Sequence, residues 1–189
     1  MLAPLVEEIR NWDQVGRHDS VATTLFVRME ALARSSGQSQ LAALEQVKAA
    51  LEGAFGTWRV AWGDVNRLQR IHSSGTEEQF SDARPSVPVP GAPSFTGTIL
   101  TFGTRAAPGQ KRMYGTVGDT YVSVVEFGKR PEAHSLLVFG ESADPQSKHY
   151  TDQAELYSTQ RFKPAWFELS EIKKHLERKY KVTYASSPE

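Results

Sequence analysis

The chain of 189 residues predicts an α+β fold: N-terminal helices, then a mainly antiparallel sheet and C-terminal helices. Three observations carry that prediction. Apolar residues recur at helical spacing through the first third of the chain. Alternating and short apolar runs dominate between Phe95 and Gly140. A stretch with prolines at 85, 88, 90 and 93 separates the two regions and denies itself regular hydrogen bonding.

The elements follow in order. Pro4 suits a first helical position, and Leu5, Ile9 and Trp12 follow at helical spacing. Asp19 and Ser20 are candidate caps for a second helix, with Val21, Leu25, Met29 and Leu32 in one stripe and Gly37 as its stop. Ser39 opens a third, with Leu41, Leu44, Val47, Leu51 and Phe55 on one face and Gly53 and Gly56 closing it. Trp58, Val60 and Trp62 alternate like a strand, Gly63 and Asp64 break it, and Val65, Leu68 and Ile71 fit a short helical turn. Residues 73–94 form a linker or a surface arm; Val87 and Val89 between the prolines favour an arm packed on something.

Phe95 to Gly103 and Arg112 to Val117 read as strands. Gly118-Asp119 resembles a two-residue hairpin turn into Thr120 to Phe127, whose residues Tyr121, Val125 and Phe127 share a face. The run Leu136 to Phe139 suits a strand covered on both sides. Asp144-Pro145 starts a turn, and His149 to Gln160 fits a short helix. Ser170 caps a last helix that turns Ile172, Leu176 and Tyr180 inward. The expected organisation is a helical part at 1–72, a proline-rich arm at 73–94, and a sheet with terminal helices at 95–185.

Composition narrows function. Lys plus Arg is 22 and Asp plus Glu is 22, and this balance argues against a nucleic-acid partner. The absence of cysteine removes disulfides, thiolate metal sites and thiol nucleophiles. No apolar run is long enough to cross a membrane, so a membrane partner is not expected either. The start, MLAPLVEEIRNW, is acidic and lacks the basic start and apolar core of a signal peptide, so the chain as it stands is not addressed for export.

Candidate chemistry is sparse. The histidines are His18, His72, His134, His149 and His175, and none forms an HxxxH or HExxH pair. Phosphate-binding glycine loops and a GxSxG elbow are absent. The most suggestive cluster is GESADPQSKHYTDQ, 140–153, where His149 beside Asp144 or Asp152 has the composition of a general base with its carboxylate. The same residues serve as turn and cap: Asp144 for the Asp-Pro turn, Ser147 as helix cap, Asp152 in the positive first turn. That structural reading is preferred, as it is for Asp64 and Asn66 in WGDVNRL. Arg67, Arg70, Lys111 and Arg112 read as single charges on solvated faces, and Lys173, Lys174, Arg178, Lys179 and Lys181 as a solvated helix face.

Four blocks together are more specific than any one. They are NWDQVGRHDSVATTLFVRM at 11–29, WGDVNRL at 62–68, VPGAP followed by GDTYVSVVEFG at 118–128, and GESADPQSKHYTDQAELYSTQRFKPAWF at 140–167. On these the chain resembles the C-terminal part of the β chain of penicillin acylases and acyl-homoserine-lactone acylases, nearest to the lactone-acylase and lipopeptide-acylase branch. Glu141 stands where many relatives have Gln, and Lys148 where many have Pro.

The resemblance implies an N-terminal-nucleophile amide hydrolase built as an αββα sandwich. In that class a β-chain Ser attacks, its own α-amino group is the base, and an Asn side chain with a backbone N–H holds the oxyanion. The precursor is exported to the periplasm or beyond and cuts itself into α and β chains. The nucleophile, the oxyanion Asn and the calcium ligands of the family lie upstream of the matched blocks, and Met1 has no hydroxyl to attack with. No catalytic, cofactor-binding or metal-binding residue is therefore assigned here, and no cofactor is expected. The implied partner is the upstream acylase portion, meaning the α chain and the N-terminal part of the β chain. Self-association through exposed surface is also expected. The implied function is a scaffold segment, inactive alone, of an enzyme that deacylates N-acyl compounds. The alternatives are a non-catalytic binding or assembly module that reuses the fold, and an independent hydrolase using His149.

Overall fold

The computed structural model describes residues 1–71, 79–100, 102–106 and 108–181. His72, the start of the expected arm at 73–78 and the tail beyond Lys181 lie outside the described residues. The chain is α+β. Helix α1 is Ala3–Arg10, α2 is Val21–Ser36 and α3 is Gln40–Phe55. Ser20 Oγ accepts from the Thr23 amide and Ser39 Oγ from the Ala42 amide, so both predicted serine caps form. α2 ends at Gly37 and α3 at Gly56, both left-handed. Leu5, Leu25, Met29, Ala43, Leu44, Val47 and Leu51 meet in one core, whereas Leu41, placed on that face by periodicity, is exposed.

The next segment inverts the expected order. Trp62–Val65 is a single helical turn, α4, and Asn66–Leu68 is the strand, β1. Trp58 is half-buried under the Arg59 guanidinium, 4.3 Å from its ring, while Trp62 is fully buried. The reason is tertiary. The Trp62 and Gly63 amides donate to the carbonyls of Ser20 and His18, at 3.0 and 2.6 Å, which pins the start of a helical turn there.

The proline arm packs on this turn. Val87–Pro88 forms β2, antiparallel to β1 with Leu68 opposite Val87. Val89 and Ala92 are buried. The Asn66 side-chain Nδ2 donates to the Val89 carbonyl at 3.1 Å, and the Trp62 indole Nε1 donates to the Gly91 carbonyl at 2.8 Å. Gly91 has φ +84, and a Cβ there would stand 2.2 Å from the Leu100 carbonyl oxygen, so backbone meets backbone where no side chain fits. Residues 81–85 of the arm are held by Gln69, whose side-chain NH2 lies within hydrogen-bond distance of the carbonyls of Ser81, Arg84 and Pro85. Tyr114 Oη donates to Asp82 Oδ1 at 2.7 Å, and the Lys111 amide donates to Oδ2.

Two sheets follow. A short 3₁₀ turn spans Ser94–Thr96, and Phe102–Ala106 is strand β3. Met113–Gly118 is β4, and the first sheet runs β2-β1-β4-β3, with β1 and β4 parallel and the other pairs antiparallel. Tyr121–Glu126 is β5 and Glu132–Leu137 is β6; with β7, Lys163–Pro164, they form an antiparallel second sheet, β5-β6-β7.

The predicted hairpin at Gly118-Asp119 is thus a crossing between sheets. β4 is already paired on both sides, and Asp119 is used elsewhere: its carbonyl accepts from Tyr157 Oη at 2.8 Å. A shared core of Leu68, Val89, Phe102, Leu136, Val138 and Tyr157 joins the two sheets. β5 is an edge strand, and Tyr121, Val124 and Val125 on its two faces are exposed.

The C-terminal helices are shorter than predicted. α5 is only Ala154–Ser158, because residues 142–151 are held in turns. α6, Leu169–Lys174, starts at Glu168 rather than at a Ser170 cap, and Ile172, Leu176 and Tyr180 are exposed rather than inward. Among the described residues no helix is long and apolar enough to cross a membrane.

Two predictions follow from the packing. Trp62→Phe leaves the buried Gly91 carbonyl without its donor and destabilises the chain by about 1–3 kcal/mol in urea unfolding; Trp62→Ala costs about 3–5 kcal/mol. Burial raises the Asp82 carboxyl, but the bonds from Tyr114 and the Lys111 amide outweigh it and hold it below the usual carboxylate range. That stabilisation is present above the unfolded aspartate pKa near ~4 and is lost as pH falls through the lower folded value. Tyr114→Phe therefore raises the pH at which acid unfolding begins, as followed by circular dichroism.

Candidate functional site

The loop from Gly140 to Gln153, the cluster singled out by sequence, is built almost wholly from local hydrogen bonds. Asp144 Oδ1 accepts from the Gln146 amide at 2.9 Å, which closes an Asx turn at the Asp-Pro step. Ser147 Oγ accepts from the His149 amide at 3.2 Å, and the Ser142 amide donates to the His149 carbonyl at 3.0 Å. A Cβ on Gly140 would stand 2.2 Å from that carbonyl oxygen, so the loop folds flat against its own start. Gln153 is buried; its amide donates to the Phe139 carbonyl and its Oε1 accepts from the Leu137 amide, which ties the loop to β6.

Of the three residues expected to come together, the structure joins two. His149 Nδ1 lies 2.7 Å from Asp152 Oδ2. Asp144 is occupied by its turn and does not join them. The second ring nitrogen, Nε2, meets Glu177 Oε2 at 2.9 Å, from the segment after α6. Glu177 Oε1 also pairs with Lys148 Nζ at 2.6 Å. Both ring nitrogens therefore face carboxylates, which only accept, so both contacts are hydrogen bonds at once only when the ring is protonated. The bonds to Asp152 first, and then to Glu177, raise the His149 pKa above its ordinary value. While protonated the ring has no lone pair with which to take a proton, and its carboxylate partners favour that form, which argues against the general-base reading.

The other predicted candidate is also structural. Asp64 sits in the first turn of α4, while Asn66 is buried at the arm, with its Oδ1 unpartnered among the described residues. Among the described residues no group of three or more His, Asp or Glu is arranged to hold a metal ion. A cavity of about 510 Å³ beside Trp12, Phe26 and Ala92 has, among the described residues, only Arg10 as a charged wall residue, and Arg10 pairs with Glu7 at 2.7 Å.

Sequence reasoning missed the arginines. Arg70 crosses to the 140–153 loop, donates to the Tyr150 carbonyl and lies 4.0 Å from the Tyr150 ring. Arg67 donates to the Gly63 carbonyl and to Ser86, which fastens the arm. The signal that could have placed Arg70 is the aromatic pair Phe139 and Tyr150 flanking the loop, although nothing in sequence spacing links residues 80 apart.

The family model for penicillin amidase matches residues 2–174 of this chain. An acyl-homoserine lactone acylase, PvdQ, from Pseudomonas fluorescens is 32% identical over 136 residues, which is 71% of this chain and 15% of that protein. The protein of the same name from Pseudomonas syringae pv. syringae is 30% identical over 151 residues, 79% of this chain and 17% of that protein. A third, from Pseudomonas savastanoi pv. phaseolicola, is 38% identical over 84 residues, 44% of this chain and 10% of that protein. The chain thus spans 15–17% of the length of the first two relatives. With the matched region running from α1 through α6, the chain belongs to the penicillin amidase family.

Proposed function

We propose that this chain is the C-terminal scaffold of the β chain of an N-terminal-nucleophile acylase, which deacylates N-acyl compounds such as acyl-homoserine lactones, lipopeptides or penicillins. The observation that carries the reading is the family match over residues 2–174, in a chain that spans 15–17% of its relatives. In this reading a β-chain Ser upstream attacks the amide carbonyl while its own α-amine takes the hydroxyl proton. The acyl-enzyme is then hydrolysed by water, and an upstream Asn and a backbone N–H hold the oxyanion. In the same reading the calcium ligands also lie upstream. The working enzyme is periplasmic or secreted, and its biological outlets are the quenching of lactone signals and the processing of acylated antibiotics.

Two features of the chain agree with a scaffold role. Its polar clusters are consumed by turns, arm contacts and ion pairs rather than poised around a nucleophile. Its apolar side chains at Tyr121, Val124, Val125, Trp166, Phe167 and Leu169 are exposed, as on a surface that the upstream portion or a second copy covers.

The reading is tested by assaying a chromogenic fatty-acyl amide with the chain alone and with the chain co-expressed with the upstream acylase portion. The expected result is co-purification and turnover only by the combined chains. Robust turnover by the isolated chain overturns it, and a stable monomer that binds its own ligand and ignores the upstream portion favours a binding module.

A further inference from the structure

After α6 the chain continues through residues 175–181 without regular structure. This segment has almost no apolar anchorage: Leu176 is 52% exposed and Tyr180 is 72% exposed. What fastens it is polar and aromatic. His175 stacks on Trp166 with ring centroids 4.8 Å apart, and Glu177 reaches both Lys148 and His149. Between this segment, the 140–153 loop and β7 lies a cleft of about 790 Å³, lined by Glu141, His149, Lys163, Trp166 and Leu176 among others.

We propose that residues 175–181 form a strap that docks over this cleft at acidic to neutral pH and lets go as the pH rises, with His149 as the buckle. The argument is one of donor count. A protonated ring offers one N–H to Asp152 and one to Glu177; a neutral ring offers only one. Asp152 lies three residues away in the same turn-rich loop and keeps its contact, so the carboxylate that loses its donor is Glu177, on the strap. Lys148 Nζ remains beside Glu177 at 2.6 Å, but it is 70% exposed, so once the ring's donor is lost the strap keeps one exposed pair where it had two contacts.

The other charges around the ring do not replace that donor. Across the cleft, Lys163 is paired with Glu141 at 3.3 Å. His175 faces Glu171 on α6 at 3.9 Å, and Glu171 is also bonded by Lys174. Arg178 lines the same cleft and lies 5.3 Å from the Tyr180 ring.

The sign follows from the two directions. The Asp152 and Glu177 bonds raise the His149 pKa, so the clamp is complete below the ordinary histidine value near ~6.5 and is lost as pH rises through the higher folded value. Glu177 is held below the usual carboxylate range, by Lys148 first and then by His149. Its contribution therefore fails only on the acid side, as pH falls through that lowered value, and the docked window lies between the two.

The test is backbone dynamics of the full chain by {¹H}–¹⁵N heteronuclear NOE, from about pH 5.5 to about pH 8.5, together with the His149 ring titration. The expected result is that amides 176–181 match α6 at low pH and fall to about half its values or less at high pH, with a midpoint that tracks the His149 ring. His149→Gln, whose side-chain amide does not titrate, removes the pH response of the strap while the remaining spectrum stays intact, and His175→Gln keeps the response. A strap equally ordered across the range overturns the proposal. So does a pH response that survives His149→Gln or disappears in His175→Gln.

Discussion

The contact on which the rest depends is the hydrogen bond from the Trp62 indole to the Gly91 carbonyl. It lies where three pieces of chain meet. The 11–20 loop reaches it through the His18 and Ser20 carbonyls, and the arm through Gly91, whose amide donates back to Gly16 at 2.7 Å. α2 supplies Val27, and Ala92 completes the buried packing around the indole. A large ring with one donor suits this place: its body is fully buried against Val27 and Ala92, and its single N–H meets the Gly91 carbonyl.

The same economy recurs away from Trp62. Polar side chains that would mark an active site elsewhere here hold irregular backbone in place. The Gln69 side-chain NH2 is shared among three arm carbonyls, Asp82 collects Tyr114 and the Lys111 amide, and Arg70 fixes the Tyr150 carbonyl. A proline arm has few donors of its own and cannot complete a ladder, so its carbonyls need side chains from neighbouring elements. The cost of lying against the fold without regular structure is met by named residues on β1 and β4 and beside them.

How much of this was legible depended on how local the cause was. The first three helices and both serine caps were readable, because spacing and capping act within a few residues. The order around Trp62 was not. Alternation of Trp58, Val60 and Trp62 imitates a strand, whereas the decisive bonds come from carbonyls some 40 residues earlier. The Gly118-Asp119 crossing looked like a hairpin, because pairing of β4 on both of its sides is invisible in sequence. In the 140–153 loop the spacing of His149 and Asp152 was visible and Asp144 was rightly a turn residue. Glu177, 28 residues away, gave no sign of joining. The inward face expected of α6 is exposed, because periodicity reports that a face is apolar and not whether anything covers it.

The arm also sets an order of events in folding. The bonds of α2 and α3 close within single turns, and such helices form on the microsecond scale. The contacts that join the helical part to the sheets are not local: Asn66 to Val89 spans 23 residues, Trp62 to Gly91 spans 29, and Arg70 to Tyr150 spans 80. Each requires a loop to close before it repays the lost chain freedom. The helices need only local closure, whereas the bond from the Trp62 indole to Gly91 closes a loop of 29 residues and joins the helical part of the chain to the arm.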